Sequence, residues 1–157
     1  MGTRSTIAIE KADGSVDQIY CHWDGYLEHN GVILFEYYSS PFKLQDLIDH
    51  GAISSLGKNI GLRHPFGPAY NERDPVVRAR VDAQLDEAKD NGWTTFYSRD
   101  RGEDLMIERF PNFASYATTH QREEYAYILR NDGIWYVAEY DGVFGELEPA
   151  LARELLL

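Results

Sequence analysis

The sequence predicts an α+β fold, in which an antiparallel β-sheet is built from an N-terminal and a C-terminal hairpin and helices from the middle and the C-terminus pack on it. Two observations predict it. Strand-type alternation flanks a turn signal near each end of the chain, and helical periodicity dominates the residues between. The 157 residues fit one domain, residues 1–157, and are long enough to bury a core.

The first hairpin is predicted from residues 4–10 and 16–24, where apolar and polar side chains alternate. The cluster Asp13-Gly14-Ser15 between them suits a three-residue loop. The two apolar faces must coincide, and this requirement fixes the register. The predicted pairs are Ile9 with Ile19, Ile7 with Cys21, Thr6 with His22, and Arg4 with Asp24. The last pair would be an ion pair across the strands.

Helices are predicted for the next part of the chain. Asn30 caps a short helix to about Tyr38, and Ser40-Pro41 starts a second helix that stops at Gly51. Residues 52–73 are predicted to be a long loop. Asp74-Pro75 opens the clearest helix, which runs to about Asn91. The apolar positions of these helices are Leu34, Phe35 and Tyr38; Leu44, Leu47 and Ile48; and Val77, Val81, Leu85 and Ala88.

The C-terminal half is predicted to return to strands. Residues 93–98 read as a strand, 99–103 as a charged turn and 105–110 as a further strand, whereas 111–121 are ambiguous. Residues 125–130 and 134–140 flank the turn signal Asn131-Asp132-Gly133 and form the second hairpin. One predicted face carries Ala126, Ile128, Trp135 and Val137. The other carries Tyr125, Tyr127, Leu129, Tyr136 and Tyr140. Residues 146–157 form a final helix.

Composition narrows the function classes. The formal net charge of −11 argues against general nucleic-acid binding, which normally needs a basic surface. The single cysteine, Cys21, excludes an internal disulfide framework and suits a reducing compartment, and its place on the core face predicts a buried, inert thiol. No apolar run reaches the roughly 18 residues of a membrane span. We expect no membrane partner.

A polar face on the first hairpin is the first candidate site, and it carries Arg4, Thr6, Tyr20, His22 and Asp24. His22 and Asp24 lie two residues apart on a strand, so their side chains would share a face. Such a pair can orient an imidazole as a general base or supply two metal ligands. The other histidines have no diagnostic spacing to it, so no metal site and no cofactor is predicted. The alternative is an Arg4–Asp24 bridge beside a hydrogen-bonded His22.

The segment Ser98-Arg99-Asp100-Arg101-Gly102-Glu103 is the second candidate site. In an extended turn, Arg99 and Arg101 would project together and could grip a phosphate or a carboxylate. The alternative is that both arginines pair with acidic neighbours. Arg63 and His64, in the long loop, are further candidate anion contacts.

The tyrosine face of the last hairpin is the third candidate, since tyrosines are enriched at interfaces and stack on bases. The alternative is that helices cover this face, leaving the sheet buried on both sides. The leucines at the C-terminus could dock on the same domain or on a second subunit, so a homo-oligomer stays open.

A resemblance rests on Gly2-Thr3-Arg4-Ser5-Thr6-Ile7-Ala8-Ile9-Glu10, Asp13-Gly14, Ile19-Tyr20-Cys21-His22-Trp23-Asp24-Gly25-Tyr26 and Asn30-Gly31, with 98–103 and 132–136 in support. In these segments the chain resembles a family of small uncharacterised proteins of tailed bacteriophages and prophages. Residues 74–91 lie outside the pattern, and the role of residues 58–91 stays open. The resemblance implies a phage accessory protein in the host bacterial cytoplasm, and small phage proteins of this sort often counter host defence.

Three functional hypotheses follow, and they favour a non-catalytic protein over an enzyme. The first is an anti-defence inhibitor. It either sequesters an anionic nucleotide in a pocket of Arg4, Thr6, Tyr20, His22, Asp24, Arg99 and Arg101, or blocks a host immune protein with its acidic surface. The second is a phosphoester or nucleotide hydrolase, in which His22 and Asp24 act as the acid/base pair and Arg99 and Arg101 stabilise charge. The third is a structural or regulatory phage protein that works through protein contacts alone.

Overall fold

The fold is α+β, with an eight-stranded mixed sheet. The structure is a computed structural model that describes residues 2–119, 123–140 and 142–155. The strands are β1 Ser5–Glu10, β2 Val16–Cys21, β3 Ile53–Ser55, β4 Thr95–Phe96, β5 Glu108–Phe110, β6 Tyr125–Leu129, β7 Trp135–Glu139 and β8 Gly145–Glu146. The helices are α1 Val32–Tyr37, α2 Pro41–Asp49, α3 Pro75–Asp90, α4 Tyr97–Arg101, α5 Phe113–Thr118 and α6 Leu147–Leu155; a π-helical turn, Leu27–Gly31, leads into α1.

The sheet joins the two hairpins through parallel neighbours, in the order β4-β3-β2-β1-β6-β7-β8, with β5 also on β2. The β1–β6 and β2–β3 pairs are parallel. The prediction of an antiparallel sheet is therefore wrong in part, because the hairpins meet through their first strands. These strands run the same way, so both hairpin turns lie at one end of the sheet. There the Glu10 carboxylate accepts hydrogen bonds from Arg130 Nε at 3.0 Å and from the Asn131 N–H at 3.1 Å.

The register of the first hairpin differs from the predicted one by two residues. Ile7 pairs with Ile19 and Thr6 pairs with Tyr20. The loop is Ala12-Asp13-Gly14, closed by the Lys11 N–H donating to the Ser15 carbonyl at 2.8 Å, with Gly14 at φ +87°. The predicted loop began one residue later. A shift of two keeps every side chain on its predicted face, since strand side chains alternate with period two.

The second hairpin keeps its predicted loop, but the assignment of its faces is wrong. Arg130 and Ile134 close the three-residue loop, so residues of equal parity lie opposite each other. Tyr127 pairs with Val137 and Leu129 with Trp135. The tyrosines of β6 therefore share a face with the apolar residues of β7, and the predicted tyrosine face does not exist as one surface.

The main core lies between one face of the sheet and the helices α1, α2 and α6. It contains Ile7, Ile19, Leu34, Tyr38, Leu44, Leu47, Ile48, Tyr127, Trp135 and Leu151, among others. Tyr127 is fully buried, and its hydroxyl donates to the Gly25 carbonyl at 2.6 Å. Helices thus cover this face, as the alternative interpretation of the tyrosines predicted. Tyr140 remains 62% exposed.

A second, smaller cluster covers part of the opposite face of the sheet. Tyr116 of α5 is fully buried against Ala8, Val16 and Ile128. As a result every residue of β1 is buried, Thr6 included. The first hairpin is therefore a central element of the sheet, and its predicted polar face is only partly open.

The middle of the chain follows the predicted helices, but the segments around them differ from the prediction. Asn30 lies inside the π-helical turn rather than at a cap, and its amide donates to Ser5 Oγ at 3.2 Å. The 52–73 segment contains the short strand β3. The predicted strand 93–98 is only Thr95–Phe96, and the predicted turn 99–103 largely falls in helix α4. The ambiguous segment contains α5, which begins after the Asn112 cap.

Helix α3 has the predicted bounds but little packing. The Asp74 carboxylate caps it by accepting from the Val76 N–H at 2.9 Å. Ala88 is the one buried residue, and Val76 at the other end is 66% exposed. The predicted apolar positions Val77, Val81 and Leu85 are only half-buried, so this helix is loosely packed on the protein. Among the described residues no helix is long and apolar enough to cross a membrane.

Candidate functional site

The polar residues of the first hairpin form a small network at the end of β2. The Tyr20 hydroxyl and His22 Nδ1 are 2.7 Å apart. Burial raises the pKa of Tyr20, although the positive charge of Arg4 opposes the shift. Burial also raises the pKa of Glu123 against the opposing charge of Arg4. A neighbouring hydroxyl therefore holds His22, which agrees with one part of the alternative interpretation, a hydrogen-bonded His22.

Asp24 is not part of this network. Strand β2 ends at Cys21, and Asp24 adopts φ +56°, a left-handed conformation that aspartate tolerates better than most residues. Its negative charge raises the pKa of Tyr26. No ion pair joins Arg4 to Asp24 and no hydrogen bond joins His22 to Asp24 in the described part of the chain. Because the strand stops early, the period-two argument that placed His22 and Asp24 on one face does not apply.

Arg99 acts as a structural clasp, because its guanidinium binds Asp100 and several backbone carbonyls of the surrounding segments. Its Nε and Nη2 groups each donate a hydrogen bond to the Asp100 carboxylate, at 3.0 and 3.2 Å. The Nη1 group donates to the carbonyls of Ile60 and Gly61, at 3.0 and 2.9 Å, and Nη2 also donates to the Thr94 carbonyl at 2.9 Å. A guanidinium has five N–H donors, so this set leaves none for a ligand. This geometry argues against the predicted role of Arg99 in binding a phosphate or a carboxylate.

Asp100 completes the clasp. Its side chain is fully buried and accepts from the backbone N–H groups of His64 at 3.1 Å and Phe96 at 2.8 Å. The pair thus ties the loop around residues 60–64 to β4 and α4. Arg101 projects outward instead, pairing with Glu103 at 3.1 Å while its guanidinium lies 4.9 Å from the Phe66 ring centroid. Both arginines have acidic neighbours, as the alternative interpretation of this segment stated.

The seven residues predicted to line one pocket therefore do not converge. Four remain on the hairpin and Arg99 is bonded to backbone carbonyls. Asp24 lines a different region, and Arg101 packs on Phe66 in the wall of that region. That region is a cleft of about 580 Å³, bounded by α1, the segment after β3, the 64–68 loop and the C-terminal end of α3. Its walls include Asp24, His29, Tyr37, Lys58, His64, Phe66, Leu85, Asp86, Lys89, Trp93 and Thr95.

Glycines let the walls of the cleft approach each other. A side chain at Gly57 would overlap the Gly92 carbonyl, and one at Gly61 would overlap the ring of Trp93. Gly61 also has φ +72°, which favours glycine. The indole of Trp93 is thereby fixed against backbone, with the His64 ring 5.9 Å away. This tight packing gives the cleft a preformed aromatic wall.

His64 lies buried at the base of the cleft. Its Nδ1 lies 2.8 Å from the Leu62 carbonyl oxygen and 3.8 Å from Asp100 Oδ1, and its Nε2 lies 3.0 Å from Thr95 Oγ1. A carbonyl oxygen only accepts, so Nδ1 carries a hydrogen. In the neutral ring Nε2 is then an acceptor, and the Thr95 hydroxyl donates to it. The arrangement orients a hydroxyl toward an imidazole lone pair.

Charged side chains are balanced around the cleft. Lys58 and Lys89 contribute positive charge, and Asp24 and Asp86 negative charge. Both lysines are exposed, so their ammonium groups can reach a ligand at the mouth of the cleft. Because the whole chain carries a net charge of −11, such local cations matter for any anionic ligand.

Sequence reasoning anticipated only part of this cleft. It singled out His64 as an anion contact in a long loop and Asp24 as a site residue. Thr95, Trp93, Lys58 and Lys89 were missed. The glycines at 57, 61 and 92 could have indicated this part of the cleft, because glycines in irregular segments mark close approaches of backbone.

Two further observations concern the cysteine and the potential metal ligands. Cys21 is fully buried, as predicted, and burial raises the pKa of its thiol to about 11. No cluster of three or more histidine, cysteine, aspartate or glutamate side chains suited to a metal ion occurs in residues 2–119, 123–140 and 142–155. His120 and the terminal residues Leu156 and Leu157 lie outside the described residues.

No family model matches the chain, and no curated protein or solved structure is significantly similar to it.

Proposed function

We propose that the protein is a binding protein whose cleft holds a small anionic ligand of the nucleotide class and leaves that ligand chemically unchanged. The observation that carries the proposal is the cleft of about 580 Å³, whose walls carry both aromatic rings and exposed lysines. Ligand pockets of roughly 300–1,000 Å³ suit small molecules and cofactors. A mononucleotide needs a planar contact for its base and cations for its phosphate, and this cleft has both.

Each part of such a ligand has a partner in the cleft. Trp93 and Phe66 offer ring faces for a base, since base–aromatic stacking is tolerant of base identity. Lys58 and Lys89 offer charge-assisted hydrogen bonds to phosphate oxygens. Arg101, over the Phe66 ring and half exposed, can exchange Glu103 for a phosphate at the rim. The carboxylates of Asp24 and Asp86 are acceptors for sugar hydroxyls.

The weak packing of α3 supports binding by closure around the ligand. The C-terminal turns of α3 supply Leu85, Asp86 and Lys89 to the cleft, yet Ala88 is the one buried residue of this helix. Segments with few buried apolar contacts open at low free-energy cost. A ligand that contacts both Lys58 on the body and Lys89 on α3 would hold the helix against the body.

The biological role rests on the resemblance to small phage proteins. We propose that the bound ligand is a nucleotide signal of a bacterial host defence system and that the protein sequesters it. Sequestration needs tight binding without turnover. It therefore agrees with a hairpin on which His22 and Asp24 do not form an acid/base pair.

Titration calorimetry tests the proposal. Nucleoside mono- and diphosphates are titrated into the parent protein, Lys58→Ala, Lys89→Ala and, as a control with the same change of charge, Arg153→Ala on α6. Each cleft variant should bind about tenfold more weakly, the equivalent of about 1.4 kcal/mol, and the control should match the parent. If no nucleotide binds the parent, the proposal fails. A pull-down from host lysate then tests the rival in which a host protein is the target.

A further inference from the structure

We infer that Thr95 and His64 form a nucleophile–base pair that accepts an acyl group from a small carboxylic ester bound in the cleft. Thr95 Oγ1 lies 3.0 Å from His64 Nε2, within the range expected for a nucleophile and its base. Both residues line the cleft; Thr95 is partly exposed, whereas His64 is buried. A ligand can therefore reach the hydroxyl while the imidazole stays fixed.

The imidazole is oriented from its other side. Nδ1–H donates to the Leu62 carbonyl at 2.8 Å, which fixes the tautomer with its lone pair on Nε2. Asp100 Oδ1 lies 3.8 Å from Nδ1 and supplies negative charge when the ring gains a proton. Because Asp100 is shared with Arg99, that stabilisation is weaker than a free carboxylate would provide. We expect acylation to be slow, with Asp100 acting as a positioning residue.

The reaction balances without a further reactant. Thr95 Oγ1 attacks the carbonyl carbon and its proton passes to His64 Nε2. The bond to the alcohol oxygen then breaks, and that oxygen takes the proton from Nε2. The acyl group remains as an ester on Thr95. Water, deprotonated by the same nitrogen, later attacks this ester, which releases the carboxylic acid and returns the proton to Thr95.

The chemical class of the substrate follows from the cleft. Trp93 and Phe66 suit a planar aromatic or heterocyclic group on either side of the ester, and the lysines tolerate an anionic one. The inference rests on the proposed function only in that the same cleft must admit a ligand. The inferred activity acts on carboxylic esters, so it is compatible with a cleft that holds a nucleotide without converting it.

Acetylation by p-nitrophenyl acetate tests the inference. Release of p-nitrophenolate is followed by absorbance, and the acetyl group is located by mass spectrometry of peptides. The variants are Thr95→Val, which keeps the shape without the hydroxyl, Thr95→Ser, which keeps a hydroxyl, and His64→Gln. Thr118→Val, on the exposed side of α5, controls for loss of a surface hydroxyl. Circular dichroism checks the fold of each variant.

We expect acetyl on Thr95 in the parent, in Thr95→Ser and in Thr118→Val. In His64→Gln the labelling rate should fall about a hundredfold, the usual scale of general-base assistance, and Thr95→Val should carry no acetyl at this position. Acetyl found only on other residues, or release from Thr95→Val at the parent rate, would overturn the inference. The assay contains no nucleotide, so a negative result leaves the calorimetric test of nucleotide binding to decide the proposed function separately.

Discussion

The loss of stability on replacing Arg99 tests whether this arginine holds the fold together or is free to bind a ligand. Arg99→Ala removes three hydrogen bonds to backbone carbonyls and the counter-charge of Asp100, whose side chain is fully buried. A net contribution of about 1 kcal/mol per hydrogen bond gives about 3 kcal/mol. Leaving a buried carboxylate without its partner costs about 3–5 kcal/mol in other proteins. Asp100 keeps the N–H groups of His64 and Phe96 as donors, which reduces this second cost, so we expect a total loss of at least about 3 kcal/mol.

The matched control is Arg101→Ala, two residues away. Arg101 and Glu103 are both about half exposed, and an exposed ion pair contributes about 0–1 kcal/mol. Urea denaturation followed by circular dichroism measures both free energies of unfolding. Arg99→Ala should lose at least about 3 kcal/mol, and Arg101→Ala no more than about 1 kcal/mol. Equal, small losses in the two variants would refute the assignment of Arg99 as a structural clasp.

Three further predictions concern the core and the hairpin ends. Although burial favours its neutral form, hydrogen bonds from Arg130 and the Asn131 N–H lower the pKa of Glu10. Its stabilising contribution is therefore complete above its unfolded pKa of about 4.3 and is lost as the pH falls through the lower folded pKa. Denaturation curves of the parent and Glu10→Gln should thus differ most near neutral pH and converge in acid; a constant difference would contradict this. Tyr127→Phe leaves the Gly25 carbonyl without its donor and should cost about 1–3 kcal/mol of unfolding free energy in the same assay, and an unchanged stability would be inconsistent with the 2.6 Å hydrogen bond. Cys21 should react with a thiol reagent only in urea, and rapid modification of the native protein would show that the thiol is not buried.

The parts of the fold that depend on local pattern were predictable. Alternation and the two Asp-Gly turns located both hairpins, and Asp74-Pro75 located α3. The register of the first hairpin could not be predicted, because Asp13-Gly14 fits a loop that begins at either Ala12 or Asp13. Hydrogen bonding between Lys11 and Ser15 selects the first of these.

The candidate site depended on contacts that leave no local pattern. His64 and Thr95 are 31 positions apart, and both lie outside long periodic segments. The partners of Arg99 are mostly backbone carbonyls, which carry no signature in side-chain identity. The sequence shows that two arginines lie near each other, but only the folded structure shows that Arg99 has no N–H donor left for a ligand. Parallel pairing of β1 with β6 is likewise a long-range outcome, 120 residues apart at Ser5 and Tyr125.

The most direct test of the account is to identify what the protein retains from a bacterial nucleotide extract. The pure protein is incubated with the extract, washed and denatured, and the released molecules are identified by mass spectrometry. We expect an unmodified nucleotide from the parent and from Arg153→Ala, and much less from Lys58→Ala and Lys89→Ala. Retention of no nucleotide, or equal retention by the lysine variants and the parent, would contradict binding in the cleft.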